Sequence, residues 1–190
     1  MSPRRIRRIL VGLLAGTVAT IGAPFVGATP ASATSLAATV CYNTSQAGSF
    51  ASTAVQAASI WNNATNNVTL SQCGSNLRIY QIYGGGSYAI RNSLGNGSVY
   101  IDTYQAQQYS PLRIMTHEIG HILGLPDNYN GNCALLMSGG SAGTSCTNPY
   151  PSSGEASRVD SLFSGIPFAG TTGAQVFEGS WPAPAPVAVG

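Results

Sequence analysis

The segment SPLRIMTHEIGHILGLP, Ser110 to Pro126, leaves little choice of local structure. The Ser110 hydroxyl can cap free backbone amides, and Pro111 at the first helical position gives up no hydrogen bond. At the other end Gly124 is a natural helix stop and Pro126 prevents resumption. A helix from Pro111 to about Leu123 is predicted between them. On it His117 and His121 stand four residues apart on one face, so both imidazoles can address one metal ion. Glu118, beside the first, can reach a water on that ion without coordinating it.

These are the only two histidines of the chain. A site with three protein ligands must therefore complete itself with a carboxylate, a tyrosine or a thiolate. Asp127 is the best placed acid, because a left-handed turn at Gly124 reverses the chain and returns the following residues towards the metal. Asp102, Glu155 and Asp160 are the alternatives. The pattern H-E-x-x-H-x-x-G-x-x-D departs from the metzincin consensus only in its final Asp. Downstream, Met137 in Leu136-Met137-Ser138 can supply a methionine turn below the metal, although a buried gap-filling methionine is the commoner use of such a residue.

Charge is scarce, at 7% of 190 residues, and Arg4, Arg5, Arg7 and Arg8 make up half of the eight arginines. No basic stripe remains for a nucleic-acid backbone, so a nucleic-acid partner is not expected. Basic residues to Arg8, an apolar run from Ile9 to about Ile21 and the triplet Ala31-Ser32-Ala33 read as residues 1–33 of a secretory signal, by the general or the twin-arginine route. The run is too short and too interrupted to span a membrane. Cleavage after Ala33 leaves four arginines against six acids, a formal charge of −2. It also leaves too little chain before the first strand for a sizeable inhibitory propeptide. All four cysteines, Cys41, Cys73, Cys133 and Cys146, fall in the exported part, which reads as two disulfides with three possible pairings. No C-x-x-C exists to build a structural zinc cluster.

LAATVCY, Leu36 to Tyr42, suggests a first strand. Ser49 then opens a helical pattern with Phe50, Ala54, Ala57, Ala58 and Trp61 on one side, ending near Asn62-Asn63. Strand-like runs follow at Asn67 to Leu70, Leu77 to Tyr83 and Ser98 to Tyr104, with turn signals at Gly84-Gly85-Gly86 and Asn96-Gly97. A long irregular stretch is expected from Asp127 to Ser153. Ser152 with Glu155 forms a capping-box pattern for a third helix through Val159, Leu162 and Phe163. The domain is taken as 34–164, and the Gly, Ala and Pro content of 165–190 favours a flexible or extended tail over a packed extension covering a groove.

T-H-E-I-G-H-I-L-G-L-P-D-N-Y, C-A-L-L-M-S-G-G, S-C-T-N-P-Y-P and S-R-V-D-S-L, between Ser110 and Phe163, resemble the snapalysin family, the small secreted neutral metalloproteases of streptomycetes. The likeness runs more loosely back to the Ala58 to Asn62 helix. It implies a small metzincin-like α+β domain, a twisted mixed sheet packed on helices with an active-site helix and a methionine turn. It further implies one catalytic zinc held by His117, His121 and Asp127, with Glu118 as general base, Tyr129 stabilising the transition state and Met137 in the turn. By the same resemblance Cys133 pairs with Cys146, which leaves Cys41 with Cys73. The family's calcium site has an acid just ahead of the active helix, where this chain has Ser110, with Leu112 nearby, so the expectation of calcium is weak.

The expected activity is hydrolysis of protein or peptide substrates outside the cell, by a monomer, with a large or aromatic residue accepted just after the cleaved bond. An aspartate ligand in place of a neutral histidine makes the site less positive by one charge, which places the optimum at neutral to slightly alkaline pH. The reading from another class is a secreted zinc-containing binding protein without turnover, its tail in the cleft.

Overall fold

Val40 and Tyr42 alternate inward from the first strand, Val68 and Leu70 from the second and Leu77 and Ile79 from the third, the period-two pattern of a sheet with one face on a core. The computed structural model describes residues 37–165, 173–177 and 181. The export leader and its cleavage site lie outside the described residues, as does most of the tail. Strands β1 (Ala38–Gln46), β2 (Val68–Ser71), β3 (Leu77–Ile82), β4 (Tyr88–Ser93), β5 (Asn96–Asp102) and β6 (Gln175–Phe177) form one sheet in the order β2-β1-β3-β5-β4-β6. β1 lies parallel to β2 and β3, and β3 parallel to β5, whereas β4 runs antiparallel to both β5 and β6. Helices α1 (Ala51–Ala64), α2 (Thr103–Ala106), α3 (Pro111–Ile122) and α4 (Ser153–Phe163) complete a small α+β domain with a mixed sheet. Among the described residues no helix is long and apolar enough to cross a membrane.

Local readings and structure part at four places. β4 was not anticipated, since Arg91-Asn92-Ser93 carries no apolar alternation; its neighbours in the sheet impose the strand. Its turn to β5 falls at Leu94-Gly95, where Gly95 adopts φ +72°. Asn96-Gly97, which reads as a turn, instead opens β5, and a Cβ on Gly97 would stand 2.1 Å from the Ile90 carbonyl, so only glycine fits there. The run expected to continue to Tyr104 stops at Asp102, whose carboxylate accepts the Tyr104 amide at 3.0 Å and starts α2. Finally, the described part of the tail is packed: β6 pairs with β4, and Trp181 is 2% exposed.

Helix α3 lies between α1 on one side and β4 and β5 on the other, and every residue from Arg113 to Ile122 is buried. Ser110 caps it as its sequence suggests, accepting the Arg113 amide. Trp61 of α1, fully buried, donates its indole N–H to the Thr116 carbonyl at 2.9 Å. The two helices approach so closely that a Cβ on Gly120 would meet Met137 Sδ at 2.9 Å and Trp61 Cζ2 at 3.2 Å. Gly120 thus trades helix propensity for contact at the point between the two histidines.

The irregular chain after α3 is held by opposite charges. Arg113, 0% exposed, donates to the carbonyls of Asn148 and Leu135, the latter at 2.9 Å, and to Ser138 Oγ at 3.2 Å. From the other side Glu155 accepts the amides of Leu136 at 3.1 Å and Met137 at 2.8 Å, while completing the capping box with Ser152. Residues 135–138 are therefore gripped by their carbonyls and their amides at once. Disulfides Cys133–Cys146 and Cys41–Cys73 add covalent closure, the first around this same loop.

Two outcomes are expected in thermal or urea unfolding. Gly120→Ala gains about 1 kcal/mol of helix propensity but crowds Met137 Sδ first and the Trp61 indole next, giving a net loss of roughly 1–2 kcal/mol; an unchanged midpoint would mean these neighbours yield freely. Arg113→Met keeps the packed stem and removes charge-assisted bonds to buried carbonyls, a loss on the order of 3 kcal/mol.

Candidate metal centre

The end of α3 is a Schellman turn: Leu125 N–H bonds to the Gly120 carbonyl and Gly124 N–H to the His121 carbonyl, each at 3.0 Å, with Gly124 at φ +105°. This turn aims the Leu125 carbonyl back at the helix, where it accepts from His121 Nδ1 at 2.9 Å. The Leu136 carbonyl, in the gripped loop, accepts from His117 Nδ1 at 3.0 Å. A carbonyl can only accept, so each imidazole carries its proton on Nδ1 and turns the lone pair of Nε2 inward.

Those lone pairs meet. The two Nε2 atoms are 3.1 Å apart, and Asp127 Oδ1 lies 3.3 Å from both. Three acceptors in a triangle repel unless a cation stands among them, and Asp127 Oδ1 is buried with no hydrogen-bond donor among the described residues. A tetrahedral ion with bonds of about 2.05 Å has ligand atoms about 3.3 Å apart, so the triangle has the dimensions of one face of such a site. If protons occupy the Nε2 atoms instead, burial of Asp127 is outweighed by hydrogen bonds from His117, His121 and Tyr129, which hold its carboxyl well below the ordinary range. Burial likewise opposes charge on His117, but Asp127 and Glu118 overcome it and raise its pKa.

Glu118 completes the cluster, its carboxylate within 4.8 Å of the imidazole nitrogens. It is 1% exposed, and burial pushes its pKa up against the opposing pull of the two imidazoles. Its Oε2 has no hydrogen-bond partner among the described residues. Tyr129 is 53% exposed, with its phenol bonded to the Asp127 carboxyl. Met137, 2% exposed, packs beneath α3 at Gly120. The three alternative acids are committed elsewhere. Asp102 accepts from Gly84, Gly86 and Tyr104, Glu155 from Leu136 and Met137, and Asp160 from Asn66 and Asn67.

Four residues at this centre escaped the reading of the sequence. Phe177 stacks on His121, with centroids 4.3 Å apart and planes at 13°, and the Arg91 guanidinium lies over the Phe177 ring, 4.9 Å from its centroid. Arg91 also donates to the His121 carbonyl at 2.6 Å. Trp181 sets its ring edge-on to His117 and Tyr109 and donates its indole N–H to Glu118 Oε1 at 3.0 Å. Gln105 in turn donates to the Trp181 carbonyl at 2.8 Å. Only the lone aromatics in a tail of small residues carried any signal of this.

The sequence pattern of the Streptomyces extracellular neutral proteinase (M7) family matches residues 37–165. The chain is 46% identical over 130 residues to an extracellular small neutral protease of Streptomyces lividans and 48% over 131 residues to that of Streptomyces coelicolor, each match covering 67% of this chain. A third, from Streptomyces caespitosus, is 47% identical over 128 residues, 66% of this chain and 96% of that protein. The matched part spans 57% and 60% of the first two relatives' length. With two thirds of its length in the family's pattern and the paired histidines on a buried helix, the chain belongs to the Streptomyces extracellular neutral proteinase (M7) family.

Proposed function

We propose that this protein is a secreted zinc-dependent endopeptidase in which His117 Nε2, His121 Nε2 and Asp127 Oδ1 hold the metal. The observation that carries the reading is the convergence of three buried acceptors beside a buried carboxylate with a free oxygen. The donor set of two imidazoles and one carboxylate suits zinc, and its open fourth position suits catalysis. When bound, zinc supplies Lewis acidity and makes water acidic enough to ionise near neutral pH.

The chain's own residues do the rest. Glu118 takes the proton of the attacking water on a carboxylate oxygen and passes it to the amine that leaves. Burial helps here, because a carboxylate with a raised pKa is the better base and then the better acid at neutral pH. The Tyr129 phenol, partly exposed beside Asp127, donates to the oxygen that gains charge as the carbonyl is attacked. A site that already accommodates Phe177 and Trp181 beside its catalytic groups supports a preference for large apolar or aromatic residues next to the cleaved bond. Residues 1–33 act as the export signal, 34–164 as the catalytic domain and 165–190 as the tail. The relatives' description as extracellular supports this localisation.

The indole bond to Glu118 favours one rival, a zinc-holding protein without turnover. Peptide hydrolysis and metal content, measured together, decide between them. Glu118→Gln is expected to keep about one zinc per chain and to lose about 10²–10⁴-fold in kcat; equal activity with wild type excludes Glu118 as the base. Asp127→Ala is expected to lose both metal and turnover. Tyr129→Phe is expected to keep metal and lower kcat, and loss of metal would make the tyrosine a ligand instead. Full activity in excess chelator would remove the metal from the reaction.

A further inference from the structure

The family pattern ends at residue 165, yet beyond it the chain returns to the metal centre. β6 pairs antiparallel with β4, placing Phe177 opposite Ala89, Val176 opposite Ile90 and Gln175 opposite Arg91. The register turns Val176 to solvent, 56% exposed, and lays the Phe177 ring flat on His121. The Gln175 side chain accepts from the same Arg91 guanidinium that holds the His121 carbonyl. Trp181 then fills the space over Glu118 and His117, anchored by its indole N–H and its carbonyl.

The Trp181 bond falls on the group that the proposed reaction needs free. Glu118 Oε1 accepts the hydrogen bond of the indole N–H where it would meet water, and a ring of the tail lies against each imidazole. An extended peptide adding itself to the sheet needs the same outer edge of β4 that β6 takes. The grip is also specific in kind: Trp181 bonds to the reactive carboxylate, not merely to the apolar core beneath it.

From this we infer that β6 and Trp181 form a tethered inhibitor, a segment of the chain that occupies the groove and slows the protein until it is displaced. The inference rests on the proteolytic reading above. It implies competition, so the tail raises the apparent KM for a peptide more than it lowers kcat, and removing its anchors relieves the block without altering metal content.

The test uses the full chain with Phe177→Ala, Trp181→Ala and both together. Hydrolysis of a short fluorogenic peptide is measured alongside amide hydrogen exchange of Tyr88–Ser93 and zinc content. The double variant is expected to show at least a tenfold higher kcat/KM, carried mainly by KM, and faster exchange at the β4 amides that face β6. Val176→Ala, on the solvent side, should behave as wild type. Rates in the double variant equal to wild type would overturn the inhibitory role, as would β4 amides that exchange equally fast in both, since the tail would then not be docked. Should no variant cleave at full zinc content while β4 loses its protection, the proteolytic reading fails and the inhibitory role falls with it, leaving a segment that merely fills the groove.

Discussion

Two hydrogen bonds on the far side of the imidazoles decide what this centre can be. Nδ1 of His117 and of His121 each meet a backbone carbonyl, Leu136 and Leu125. Rotate either ring and the Nε2 lone pairs no longer face Asp127. The carbonyls are themselves set by separate devices: the Schellman turn at Gly124 places Leu125, and the Arg113 and Glu155 grip places Leu136. The rest of the fold serves these two points. α1 presses on α3 at Gly120, and the disulfide from Cys133 to Cys146 closes the loop that carries Leu136. An imidazole whose second nitrogen is fixed in this way would meet an ion already oriented, so little ordering would oppose binding.

A chain this poor in charge spends three of its charged side chains on holding backbone. Asp102 gathers the amides of Gly84 and Gly86 and starts α2, Asp160 ties α4 to the turn before β2, and Arg113 lies fully buried against carbonyls. None of these is a surface ion pair, which would contribute little. Each is a charged side chain answering several backbone groups at once, the arrangement in which burial of charge is tolerated. In such an interior Asp127 is conspicuous, because its Oδ1 answers only other acceptors. That contrast distinguishes a binding centre from structural polarity more sharply than the motif does.

What the sequence disclosed follows from the range of the forces involved. α3 was legible to within a residue because its cap, its proline and its stopping glycine act locally, and the capping box of α4 was legible for the same reason. The role of Glu155 as a holder of the Leu136 and Met137 amides was not, since it joins elements that only the packed chain brings together. β4 escaped because an edge-side strand beside β5 is imposed by ladder bonds, while its own residues alternate weakly. The tail escaped for a stronger reason. Glycine, alanine and proline describe the unfolded tendencies of residues 165–190, whereas docking depends on Phe177 and Trp181, whose partners lie on His121 and Glu118.

A tether changes how strongly such a tail must bind. Gly165 and Gly173 are separated by seven residues of sequence, and a short connection of this kind gives an effective concentration of about 1 mM. A segment with an intrinsic dissociation constant of only about 100 μM would then be docked roughly ten times as often as free, a bias of about 1.4 kcal/mol. One strand of three residues and one indole anchor are in proportion to that figure. A bias so small is overcome by a polypeptide substrate that can use the whole edge of β4, but resists a short peptide with one side chain to offer. The tail would therefore act as a filter on substrate length as well as a brake, and the weakness of its individual contacts is what allows both.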